Sequence, residues 1–229
     1  WSLRNSLLEG IRSGLKMHVD RGAVAHTERD LPMSAILIGS LIFVLPLFFL
    51  YQAVVGSFGI ALTMAVLMIF TGFLFCAVAG YMAGLVGSSN SPVSGMTICT
   101  MLFAAVVLLA LMGRGAPLGA VATVLIGAVV CTAASVAGDN LQDLKCGQLI
   151  GATPWRQQVM LAIGALASAC VMAPVLNLLL KAYGIGEPAF PGAHALPAPQ
   201  ANLVRSVAEG MFGGHLPWDM IAIGLAVGA

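Results

Sequence analysis

Apolar residues fall in long unbroken runs along this chain, and short polar clusters separate the runs. From Leu31 to Gly138 there is one charged side chain, Arg114. A water-soluble domain cannot leave a hundred residues almost uncharged, because its outer surface has to carry polar groups. A bilayer reverses the demand: a charge at the centre of a membrane helix costs about 2.5–3.5 kcal/mol even on the gentler insertion scale. The runs therefore predict membrane-spanning helices over about 34–55, 60–86, 93–112, 117–137 and 159–180, with a further one over 218–229 that is cut short. Each complete run approaches or exceeds the roughly 20 residues a spanning helix needs. Gly80 and Gly84, spaced G-x-x-x-G, let helices approach closely.

Two segments follow a different pattern. Leu3, Leu7, Ile11 and Leu15 recur at every fourth position and are flanked by Arg4, Arg12 and Lys16, which suits an amphipathic helix lying on a membrane surface. Leu203, Val204, Val207 and Met211 share a face over 201–212, opposite an i, i+4 pair of Arg205 and Glu209, which predicts a second surface helix or a re-entrant one. Pro188, Pro191, Pro197 and Pro199 mark 184–200 as an extended external loop. The expected fold class is all-α: a polytopic transmembrane helix bundle with discontinuous or re-entrant segments and one or two interfacial amphipathic helices. Residues 1–30 form a cytoplasmic or interfacial segment, and 31–229 form the transmembrane domain.

Composition sharpens this picture. The 229 residues are 59% hydrophobic and 8% charged, with a net charge of +1 that offers no basic field to nucleic acid. Mean hydropathy is +0.99. Residues 1–30 hold Arg4, Arg12, Lys16, Arg21 and Arg29. With that head inside, Lys145 and Arg156 fall inside too, while Arg114, Lys181 and Arg205 fall outside, as the positive-inside rule expects. The expected location is the cell (inner) membrane, multi-pass, with the N-terminal segment cytoplasmic. The chain opens on Trp1 and stops within an apolar run, so it reads as an internal piece of a longer polypeptide. None of the five cysteines lies in a C-x-x-C pair, and the four histidines form no ligand pattern, so no metal or other cofactor is expected.

The candidate chemistry lies in two polar clusters. Gly87, Ser88, Ser89, Asn90, Ser91, Pro92, Ser94, Gly95 and Thr97 separate two strongly apolar helices. Proline lacks an N–H and the glycines loosen the backbone. Such a break is either a plain cytoplasmic turn or a discontinuous element lining a cavity, where loose backbone groups and half-helix ends meet a solute. The second cluster, Gly138 to Gly151, holds Asp139, Asp143 and Lys145. If it is helical, the two carboxylates share a face and are candidates for proton or cation coupling. The alternative is a solvated loop in which Asp139 caps a short helix.

The stretches ERDLP (Glu28–Pro32), GLVGSSNSPVSGMTI (Gly84–Ile98), AGDNLQDLKCGQLIGATPWRQQ (Ala137–Gln158) and LPAPQANLVRSVAEGMFGGHLPW (Leu196–Trp218) resemble, in order, the oligopeptide transporter (OPT) family, specifically its prokaryotic branch. Ser91 stands where asparagine is expected, and Asn140 and Cys146 stand where threonine is usual. The resemblance implies a proton-coupled secondary transporter of small peptides or metal chelates, in which this chain is part of the C-terminal half. Asn90, Ser91 and Pro92 would line the transport pathway, with protons as the coupling ion. Expected partners are the solute, the lipid bilayer and the remaining helices of the full chain; a homodimer is left open. Two other functions compete with this one: a channel with a re-entrant Asn-Ser-Pro filter, and a membrane-embedded enzyme. Against the enzyme, the spans hold neither H-E-x-x-H nor G-x-S-x-G.

Overall fold

The computed structural model describes residues 25–191, 194–214 and 218–228. The predicted surface helix at 1–18 lies outside the described residues. Within them the fold is all-helical: α1 (Met33–Val55), α2 (Phe58–Val86), α3 (Val93–Met112), α4 (Gly119–Leu149), α5 (Pro154–Ala182), α6 (Pro199–Gly213) and α7 (Trp218–Gly228). Single 3-10 turns stand at His26–Glu28 and Ser88–Asn90. A lone β-bridge joins Ile185 to Leu196 within the predicted external loop.

The helices begin and end for local reasons. Gly56, with φ +74°, stops α1 and donates to the Gln52 carbonyl at 2.8 Å. Pro46 and Pro174 sit inside α1 and α5. Pro154 opens α5 at the first helical position, where its missing N–H costs nothing. The largest departure from expectation is at α4, which continues as helix to Leu149 instead of stopping near Ala137. It ends in a Schellman motif: Ala152 N donates to the Gly147 carbonyl at 2.9 Å and Gly151 N to that of Gln148 at 3.3 Å, with Gly151 at φ +75°.

α2 and α4 are the central pair, α3 packs on α4, α1 leans on α2, and α5 leans on α4. The core joins Met64, Ala65 and Met68 of α2 to Ala104, Ala105 and Leu108 of α3 and Ala122, Ile126 and Val130 of α4. Alanine at these positions brings helix axes close, which is how helices associate where lipid removes any hydrophobic drive. A Cβ on Gly80 would come within 2.6 Å of Leu141 Cδ1, and one on Gly127 within 2.6 Å of Met101 Cγ. Buried threonines return their hydroxyls to their own helix: Thr71 donates to the Leu67 carbonyl at 2.7 Å and Thr100 to that of Met96 at 2.9 Å. Tyr51, fully buried, donates to Met68 Sδ at 3.2 Å.

The outer helices are apolar all round. α5 has no buried residue, yet it exposes Met160, Ile163, Leu166, Val171 and Leu178. α1 buries only Tyr51 and exposes Leu41, Phe43, Leu45 and Phe49. Helices with apolar residues on every side belong in lipid or against other apolar helices. Among the described residues, five segments, from His26–Val55 to Pro154–Ala182, are long and apolar enough to cross a membrane.

Candidate functional site: a polar mouth at one end of the bundle

Three of the four quoted stretches converge on one end of the bundle. The Arg29 carbonyl accepts from Trp155 N at 3.1 Å, and Leu31 N donates to Gln158 Oε1 at 3.3 Å, so the Glu28–Pro32 stretch is fastened to the start of α5. Ser88 N donates to Gln142 Oε1 at 3.0 Å, which ties the serine-rich break to the polar turns of α4. Gly138 is buried beside this contact, and a Cβ there would stand at ordinary packing distance, 3.8 Å from Ala83 Cβ and 4.0 Å from Ser88 Cβ.

The break joins α2 to α3 at this end of the bundle; it does not interrupt a helix midway. Gly87, at φ +83°, takes the chain out of α2. Asn90 Nδ2 then donates to the Val86 carbonyl at 3.2 Å, satisfying a last-turn acceptor of α2. Ser91 is extended (φ −65°, ψ 134°), as the following proline demands. Ser89, Asn90, Pro92, Ser94 and Gly95 are exposed, and Gly87, Ser88 and Ser91 are half-buried. Thr97 is buried, and its hydroxyl donates to the Val93 carbonyl at 2.8 Å, so it faces the packing and not a solute. Ser91 Oγ is enclosed and has no hydrogen-bond partner.

Asp139 lies within α4 and does not cap a helix. Asp139, Asp143 and Lys145 are all exposed. Lys145 Nζ donates to Gln148 Oε1 at 2.9 Å, not to a carboxylate. At ~1.5 Å per residue α4 is about 46 Å long and α3 about 30 Å. The hydrocarbon layer is about 30 Å thick. The last turns of α4, carrying Asp143 and Lys145, therefore extend past the start of α3 into the polar zone. No group of three or more His, Cys, Asp or Glu is placed to hold a metal among the described residues.

The opposite end carries α6. Its Ala208, Met211 and Phe212 are buried, and it packs against α3 and α4. At 15 residues it is too short to span. Arg205 Nε meets Glu209 at 2.8 Å, and Nη1 meets Glu187 at 3.8 Å. The hydrogen bond and charge of Glu209, with Glu187 behind it, raise the Arg205 pKa, so its charge is permanent. The i, i+4 partner was visible in the sequence; Glu187, brought in by the loop, was not. Because all three side chains are exposed, Arg205→Ala should leave the melting temperature essentially unchanged. Thermal unfolding in detergent at low and high salt checks this.

Long all-apolar helices around a small-residue core, with hydroxyls turned inward and polar groups gathered at the ends, define a multi-pass membrane protein. Residues 8–229 match the family described as OPT oligopeptide transporter protein. The chain belongs to that family. It is similar to a bacterial relative, the "Putative oligopeptide transporter" of Haemophilus influenzae, with 42% identity over 175 residues, covering 71% of this chain and 28% of the relative. The chain thus spans under a third of the length of that relative. No solved structure matches it.

Proposed function

We propose that this chain builds part of the translocation pathway of a secondary transporter for small peptides or metal-chelate-like solutes, coupled to protons. The polar break sits at the cytoplasmic mouth of that pathway. The observation that carries the reading is the Ser88–Gln142 hydrogen bond. It joins two polar clusters 54 residues apart at the one end where α1 and α5 also begin. A plain turn needs no such partner. The exposed groups of Ser89, Asn90 and Ser94 then offer hydroxyls and an amide to a passing solute. Asp139 and Asp143, one helical turn apart, and Lys145 beside them are our candidates for proton coupling at this mouth. The Lys and Arg residues within 1–30 support an inner-face position for this mouth, by the positive-inside rule.

Proteoliposome flux tests the whole reading. Uptake of short peptides or chelates should saturate and should rise when an inward proton gradient is imposed. Saturable uptake without gradient dependence would remove the coupling; uptake that never saturates would indicate a channel.

Ser91 provides a finer test. A buried hydroxyl without a partner stabilises nothing, so Ser91→Ala should leave the melting temperature unchanged or raise stability by up to about 1 kcal/mol. With Ser91 as a pathway residue, uptake should nevertheless fall several-fold, which requires the enclosed hydroxyl to be uncovered during transport. A fall in melting temperature without loss of uptake would assign Ser91 to structure.

A further inference from the structure

α5 meets α4 at its first turns, where the Gln157 amide lies against Gly147 and Leu161 is half-buried. From Ala162 to Leu178 every residue is exposed. This free length is not uniformly apolar. At about 100° per residue, Ala167, Cys170, Ala173, Pro174 and Asn177 fall on one stripe, opposite the half-buried Leu161 and Leu179. Two groups on that stripe lack partners. Pro174 has no N–H, so the Cys170 carbonyl loses its donor four residues on. The Asn177 carboxamide makes no hydrogen bond among the described residues. Exposed hydroxyls on other spans do find one: Ser40 donates to the Ile36 carbonyl at 2.8 Å and Thr132 to that of Ala128 at 2.9 Å.

Depth makes this matter. Lys181, the first charge after Arg156, marks the polar edge of the span. At ~1.5 Å per residue Asn177 lies about 6 Å from that edge and Cys170 about 16 Å, near the middle of a hydrocarbon layer about 30 Å thick. Lipid can satisfy neither group, and an unmet polar group in hydrocarbon is costly. Prolines persist in spanning helices because neighbouring helices supply what the ring removes. The small side chains of the stripe leave room for such an approach. The exposed face of α2 is different: Leu62, Val66, Ile69 and Phe73 are bulky and carry no polar group, which suits lipid. The match to the Haemophilus relative covers 28% of it, so more than two thirds of that protein lies outside the match. We infer that the outward stripe of α5 packs against a membrane helix from the part of this polypeptide that corresponds to that remainder. The partner helix carries a hydroxyl or amide donor at the depth of the Cys170 carbonyl. It carries a second polar side chain about 10 Å along its axis, at the depth of Asn177. This contact is independent of what the protein carries across the membrane.

The test uses the full-length protein, with Cys170 as its only cysteine, in nanodiscs that hold one copy each. A nitroxide on Cys170 reports its collisions with oxygen, which concentrates in lipid, and with a polar nickel chelate, which stays in water. A phospholipid labelled at mid-chain in the same nanodiscs is the reference. Oxygen collisions at Cys170 should be several-fold rarer than at the lipid label, and nickel collisions should be as scarce as they are there. Oxygen collisions equal to those of the lipid label overturn the inference: the stripe then faces lipid, or a second copy that a single-copy nanodisc lacks. Frequent nickel collisions overturn it too, because the stripe then lines a water-filled space. Asn177→Leu in the unlabelled full-length protein decides the matter should the nitroxide disturb the fold. Losing the carboxamide leaves its partner unmet, so the melting temperature should fall by a few degrees. A melting temperature that holds or rises means that the carboxamide had no partner, and overturns the inference.

Discussion

Asn90→Ala and Pro92→Ala should each lower uptake about tenfold or more, equivalent to roughly 1.4 kcal/mol on the rate-limiting barrier, while both proteins still insert. The two act through different physics. The Asn90 carboxamide donates to the Val86 carbonyl at 3.2 Å, and the side chain is exposed at the mouth, where its oxygen is an available acceptor. Alanine removes that acceptor and also uncaps α2, at a structural cost of about 1 kcal/mol. Pro92 acts on its neighbour. It keeps Ser91 extended, so α3 must begin at Val93. With alanine at 92 that restriction disappears and the helix is free to grow backwards. The Ser88–Gln142 contact would then be drawn out of register. Uptake normalised to membrane-inserted protein measures both effects. Normal uptake in both variants would reduce the break to a plain turn between helices.

The spans were readable because lipid permits so little variety: an apolar run bounded by glycine or proline has one good solution, a helix. The polar tail of α4 was harder to read, for a reason located at Gly138 and Gly147. In a sequence both look like punctuation. In the structure neither bends the chain: Gly138 packs at ordinary distance from Ala83 and Ser88, and Gly147 is where a close approach, that of the Gln157 amide, requires glycine. Between them Leu141, Gln142, Leu144 and Lys145 are good helix formers, and no proline intervenes before Pro154. Once a helix has left the lipid, its apolar signal stops although the helix does not. The location of the break was visible from Asn-Ser-Pro alone. Its partner Gln142 was not, since pairing over 54 residues leaves no local trace.

Gly119→Val should be the most damaging substitution at the opposite end. Gly119 opens α4, and any Cβ there would run into the ring of Phe212. That ring is only 5% exposed and belongs to the core cluster, so it has nowhere to swing. The backbone is fixed as well: Gly115 N, in the turn before α4, donates to the Phe212 carbonyl at 3.2 Å. Overpacking of this kind costs about 1–3 kcal/mol, and here the easiest relief is to lift α6 off α3 and α4. Protease should then cut the 183–198 loop sooner, and the detergent-solubilised protein should melt at lower temperature. Gly164→Val in α5 is the matched control, since a Cβ there meets nothing within 4 Å while the change in helix propensity is similar. A double-mutant cycle isolates the contact. With Phe212→Ala in place the collision is gone, so Gly119→Val should cost at least about 1 kcal/mol less than it does alone. Strict additivity of the two substitutions would mean that α6 does not rest on Gly119.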